Sequence, residues 1–233
     1  MTVRYKATMA SSGLLLAELQ VVAEAMAFGQ GRQSLRAAVV DENILVKPTV
    51  RARKKVWEKL NDRYALTKLG ATGCYWLQEI RSSAHEGLAQ LAVLRWASMD
   101  LLLRTFWLDL YLPRSQSTSR YGAGDVLQWI EAGELRSDAR RYFMQRSVSV
   151  QESIAQHFLV LLRTLGAAAG RAKKTFRPCL PTTSAVAFAR KLAEADGAVG
   201  SAMLDYWALR WWGDTASRAD ALLAQLHREG GWQ

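Results

Sequence analysis

Cysteine is scarce. Cys74 and Cys179 stand far apart without companion ligands, which excludes both a disulfide framework and a zinc module and makes a reducing cytoplasm the expected setting. Proline is nearly as rare, at four in 233 residues, and no segment sustains the apolar–polar alternation of a strand. The three histidines, His85, His157 and His227, are widely separated. No H-E-x-x-H, D-x-D or G-x-S-x-G pattern occurs, so the sequence offers no catalytic residue, no metal ligand set and no cofactor. Gly122 and Gly124 follow no β-run and lack the G-x-G-x-x-G or G-K-[ST] context of a phosphate loop. The chain also lacks a long uncharged run. Its most apolar stretch, Leu88 to Leu112, is broken by Arg95, Asp100, Arg104 and Asp109, whereas a membrane span needs about 20 nearly uncharged residues. That stretch reads instead as the core of a helical protein, with Asp100 and Arg104 spaced for an i, i+4 pair. Glu18 and Glu24 interrupt the N-terminal apolar patch, and no signal peptide is read.

What is abundant is positive charge. Thirty-one Lys and Arg against 21 Asp and Glu give +10, which favours an acidic partner such as nucleic acid. The charge is densest after Pro48. From Val50 the apolar residues recur at Val56, Trp57, Leu60 and Tyr64, a spacing that aims them at one helix face. Arg51, Lys55 and Lys59 follow at i, i+4, with Arg53, Lys54 and Arg63 beside them and Thr49 placed to cap. A cationic ridge of this kind binds phosphate by counterion release without reading bases; a solvated helix face is the bland alternative.

Capping and helical periodicity recur along the chain and predict an all-α, multi-helix bundle of nine to eleven helices. A first helix is expected over 12–28, capped by Ser11 or Ser12 and stopped at Gly29 and Gly31, and a second over 33–42. Gly70 and Gly73 punctuate before a short helix from Cys74 to Arg81, and S-x-x-E boxes are read at Ser83–Glu86 and Ser149–Glu152. The Ser-, Gly- and Arg-rich segment 113–125 is the candidate boundary between an N-terminal bundle, 1–113, and a C-terminal helical part, 125–233. Within the latter, 137–165 suits a helix-turn-helix and the basic loop 166–181 a wing, with at most a short hairpin there. An ordinary packed hairpin of helices is the alternative, because the exposed face offers only Glu152, Gln156 and Arg163 for base reading. Arg140 and Arg141 on the first helix, and Lys173, Lys174 and Arg177 in the loop, extend the candidate phosphate contacts. His157, on an apolar stripe, reads as a hydrogen-bonded core histidine. A helix over 201–212, rich in tryptophan, reads as core rather than as a stacking platform, and a last helix is expected from Asp214 or Thr215 to Arg228.

The N-terminal half resembles the BrxA family of the bacteriophage exclusion (BREX) defence system. The resemblance rests on Tyr5 followed by Thr8, on Ser11, Ser12 and Gly13-Leu14-Leu15, on Glu42-Asn43-Ile44-Leu45, and on Thr49 with the basic helix to Arg63, Tyr64 and Leu66. LAQLAVLRWASMDLLLRTFWLDLYL and LLRTLGAAAG are similar to the family's central apolar helices and to its helix-then-glycine ending. It covers 5–112, and 125–170 more loosely; the tryptophan-rich tail departs from it. What it implies is an all-helical, NusB-like, non-enzymatic protein that binds double-stranded DNA and works beside a methyltransferase, a phosphatase-like protein and ATPases. A protein-interaction scaffold without nucleic acid, and a NusB-like RNA binder, are the alternatives.

Overall fold

The apolar stretch that opens near Leu88 lies at the centre of the molecule. The computed structural model describes residues 3–11, 13–27 and 34–213, with positions 221, 224 and 228. Helix α5 (His85–Met99) is buried at every position from Gly87 to Met99, as a helix apolar on all sides must be. Around it pack α1 (Leu16–Ala27), α3 (Val50–Tyr64), α4 (Gly70–Ser82) and α10 (Thr183–Ala195), while α2 (Ser34–Val40) bridges α1 and α3. Two of the polar side chains inside α5, Arg95 and Gln90, bind neighbouring segments. Arg95 Nε donates to the Tyr64 carbonyl at 3.0 Å, and Gln90 holds both Leu180 O (2.7 Å) and Thr182 N (2.8 Å).

The predicted all-α bundle is what forms, with eleven α-helices among the described residues. Several boundaries differ for physical reasons. Gly73 is not a breaker: it lies inside α4, where an added Cβ would stand 3.0 Å from Leu69 Cβ and 3.2 Å from the Arg95 guanidinium, so close approach explains it. Neither S-x-x-E box forms. α5 starts after Ala84 and α9 (Val148–Thr164) after Ser147, both without a side-chain cap, one and two residues away from where the boxes would put them. The apolar stretch breaks at Asp100, which is extended and caps α6 (Leu101–Thr105) through Leu102 N at 2.9 Å. The Asp100–Arg104 pair does not form. Asp100 faces inward, while Arg104 lies over Trp207, 4.0 Å from the ring centre, and donates to Ala97 O. A π-helical turn, Phe106–Tyr111, then leads to Pro113.

Segment 113–125 carries strand β1 (Arg120–Tyr121), and Asp125 accepts from Gly122 N at 2.7 Å to start α7 (Ala123–Glu131). α8 (Ser137–Met144) and α9 follow. The expected hairpin is present as β2 (Ala168–Ala169) and β3 (Lys174–Phe176), and β1 joins it as an unforeseen third strand in the order β1-β3-β2. Tyr121, Trp129 and Phe176 interlock behind this sheet, with Tyr121 4.9 Å from each partner ring.

The chain then returns through α10 onto α4 and α5. Instead of one helix over 201–212 there is a short α11 (Ser201–Leu204), a turn and a 3-10 turn at Arg210–Trp212. The tryptophans are core, as expected: Trp211 stacks on Trp107 at 4.3 Å and accepts its indole N–H on the main chain at 2.7 Å. Of the final helix only positions 221, 224 and 228 are described, and they are helical; Ser12, Gly29 and Gly31 also lie outside the described residues.

The N-terminal segment laces these parts together. Tyr5 donates to Asp138 on α8 at 2.5 Å and stacks on Tyr142. Thr8 donates to Asp100 and accepts from Trp96 Nε1 at 2.9 Å. Ser11 does not cap α1, which begins only at Leu16; its carbonyl and hydroxyl accept from Arg63 on α3 at 2.8 and 3.0 Å.

Candidate nucleic-acid interface

The predicted ridge is built on α3. Thr49 caps it by accepting from Ala52 N at 3.1 Å, and Ala65 in the left-handed region ends it. Trp57, Leu60 and Tyr64 are buried, and Tyr64 donates to Leu14 O at 2.5 Å, which fixes the helix rotationally on the core. Arg51, Lys54 and Lys55 are thereby exposed, around a shallow depression that Val50 and Glu58 also line. None of them enters an ion pair among the described residues. Lys59 is half-buried, and its pKa is lowered first by burial and then by the positive charges of Arg63 and Lys55. Lys6 joins the far end by donating to Asp62 O at 3.2 Å.

Two of the predicted ridge residues point elsewhere. Arg53 donates to Val40 O (2.8 Å) and Asp41 O (3.3 Å), closing the end of α2. Arg63 is 1% exposed, holds Ser11 and lies 4.7 Å over the Trp96 ring, so it is an internal strut rather than a phosphate contact. Its depressed pKa follows from burial.

A second basic group surrounds the small sheet. Lys173 and Arg177 are exposed, as expected, but Lys174 is 5% exposed and donates to Arg171 O. Burial first, and then nearby Arg163, lower the Lys174 pKa. Arg163 on the last turn of α9 and Arg120 on β1, opposite Thr175, are exposed cations of the same region. Sequence spacing gave no signal for Arg120, because its pairing with β3 spans more than fifty residues. Arg140 is exposed and donates to Glu131 O at 2.8 Å, and Arg141 is exposed. The outer face of α9 presents Glu152, Gln156, Val160 and Arg163, a sparse set for reading bases.

No group of three or more His, Cys, Asp or Glu side chains among the described residues is arranged to hold a metal ion. Cys179 is buried, and burial raises its thiol pKa to about 12, the opposite of a reactive thiolate. His157, expected as a hydrogen-bonded core histidine, is half-buried at a small cavity beside Met9, Leu14 and Trp96, and its Nδ1 has no hydrogen-bond partner among the described residues. No helix among the described residues is long and apolar enough to cross a membrane.

Comparison with known proteins gives three findings. A crystal structure of an uncharacterized protein from Magnetospirillum magneticum is similar in fold, with a TM-score of 0.66 at 18% identity over 91% of this chain and 100% of that one. No curated protein matches. Residues 3–131, more than half of the chain and the whole of the ridge, match the BrxA family, and the chain belongs to that family.

Proposed function

We propose that this protein is a non-enzymatic, duplex-DNA-binding accessory of BREX phage defence, gripping phosphate with little sequence preference. Membership of the BrxA family suggests the BREX setting. The observation that carries the DNA reading is the exposure of Arg51, Lys54 and Lys55 on a capped, core-anchored helix with no ion-pair partner among the described residues. Such cations release counterions from DNA, and the helix that carries them is fixed on the core before binding. Lys173 and Arg177, with Arg120 and Arg163, supply a second contact around the hairpin. The α8–turn–α9 pair followed by that hairpin supports a winged helix-turn-helix reading of this half. Other BREX components, the methyltransferase, phosphatase-like protein and ATPases, are the proposed protein partners, and one of them reads the sequence.

The test is a labelled duplex challenged with unrelated duplex and with structured RNA at two salt concentrations. Equal competition by unrelated DNA, and binding that weakens steeply with salt, are expected. A variant with Arg51, Lys54, Lys55 and Lys59 all changed to Glu should bind poorly, with a salt slope reduced by roughly one unit for every phosphate no longer neutralised. Unchanged binding by that variant would leave the ridge a solvated face, and preference for RNA would favour the NusB-like alternative.

A further inference from the structure

The loop before the ridge holds an apolar side chain out in water at a conformational cost. Val46 has φ +50°, in the left-handed region that a β-branched residue strongly disfavours, and it is 84% exposed. No contact among the described residues rewards that arrangement, yet the loop is held from several sides. Val46 N donates to Asn43 O at 2.9 Å, and Asn43, itself at φ +59°, accepts from Lys47 N on its side chain at 2.8 Å. Lys47 pairs with Glu18 on α1 at 2.9 Å, Leu45 is buried next door, and Arg53 clamps the loop's start at Val40 and Asp41. Strain that the surroundings over-determine is characteristic of binding positions. Four residues on, within about 14 Å of chain, Val50 is half exposed beside Arg51 and Lys54.

We propose that Val46 is the groove contact of the ridge: with Arg51, Lys54 and Lys55 on flanking phosphates, its isopropyl group packs against the deoxyribose walls of the duplex minor groove. This rests on the duplex-binding reading above. Unpaired cations select a polyanion, and a short branched side chain fits a groove about 6 Å wide. Sugar walls are apolar and the same at every base pair, so such a contact adds affinity without sequence choice, in keeping with a ridge that reads phosphate. A protein partner with an acidic, apolar segment is the competing occupant.

The experiment is fluorescence anisotropy of an A·T-containing duplex titrated with the full chain, comparing wild type, Val46→Ser and Val46→Gly at several salt concentrations. Both variants are expected to bind about five-fold more weakly at every salt, the effect of losing part of one valine's burial, with the salt slope unchanged. Val46→Gly is expected to melt at or above the wild-type temperature, since glycine accepts the positive φ, which separates the binding loss from misfolding. Pre-saturating the duplex with netropsin, which fills the minor groove, should abolish the difference between wild type and Val46→Ser. Wild-type affinity in Val46→Ser with the salt slope intact would overturn this contact alone and point to a protein occupant. A difference that survives netropsin would overturn the minor-groove placement. Loss of salt-dependent binding in the wild type itself would remove the duplex reading and this contact together.

Discussion

Asp100 shows how one buried carboxylate organises its surroundings. It is fully buried, and burial raises its pKa to about 6, although Thr8 Oγ1, Leu102 N and Lys6 N all donate to it and pull the other way. With the folded pKa above the ordinary carboxylate value of 3.8, its contribution to stability is full below about pH 4 and is lost as pH rises through about 6. A shift of that size corresponds to about 3 kcal/mol. Asp100→Asn keeps an acceptor for Leu102 N and never ionises, so urea unfolding from pH 4 to 7 should lose the slope that wild type shows. Asp100→Ala strands two backbone N–H groups and a hydroxyl and should cost roughly 2–3 kcal/mol at pH 7. An equal pH slope in wild type and Asp100→Asn would show that another group titrates there.

At the scale of elements, the basic hairpin depends on its turn. Gly170 has φ +111°, and a Cβ there would lie 2.4 Å from the Lys173 carbonyl oxygen, with backbone rather than a flexible side chain in the way. Gly170→Ala must therefore open the β2–β3 turn that presents Lys173. A loss of roughly 2 kcal/mol is expected in urea unfolding, with helical circular dichroism retained. Duplex affinity should fall while the contribution of the α3 cations persists. Unchanged stability would mean that the turn has another accessible conformation. The pairing of β1 with β3 makes the same hairpin part of the body of the protein, because Tyr121 reaches Phe176 and Trp129 across it.

For the whole molecule, the N-terminal segment matters more than its length suggests. Residues 5–11 reach α8, the α5–α6 junction and α3, and buried apolar side chains run in one cluster from Met9 to Trp212. One cooperative unfolding transition is expected, seen at the same denaturant concentration by circular dichroism and by tryptophan fluorescence. Thr8→Val leaves the Asp100 carboxylate and the Trp96 N–H without this partner. It should shift both signals together by roughly 2 kcal/mol. Two separated transitions would instead mark 113–125 as a boundary between independently folding parts.

Much of this protein was fixed by sequence acting locally. Helical periodicity, the Thr49 cap, the all-round apolar character of α5 and the hairpin after Gly166 need only neighbours within a few turns, and each is present. Even the inward turn of Arg53 and Arg63 was legible. They stand four before Trp57 and three after Leu60, on the buried face, but grouping by charge concealed the grouping by face. Tertiary structure alone decided the rest. Ser83 and Ser149 have cap-like sequence, but α5 and α9 start after Ala84 and Ser147 in the folded chain. Arg120 met the hairpin, and Lys174 was buried at the Arg171 carbonyl, through a pairing between residues distant in the chain. The loop around the exposed Val46 is tied down by Glu18, Asn43 and Arg53, which hold Lys47 and Val40 from different helices and turns. A local rule specifies which conformation a segment prefers, while exposure of a given charge or methyl group depends on which surfaces the folded chain brings over it.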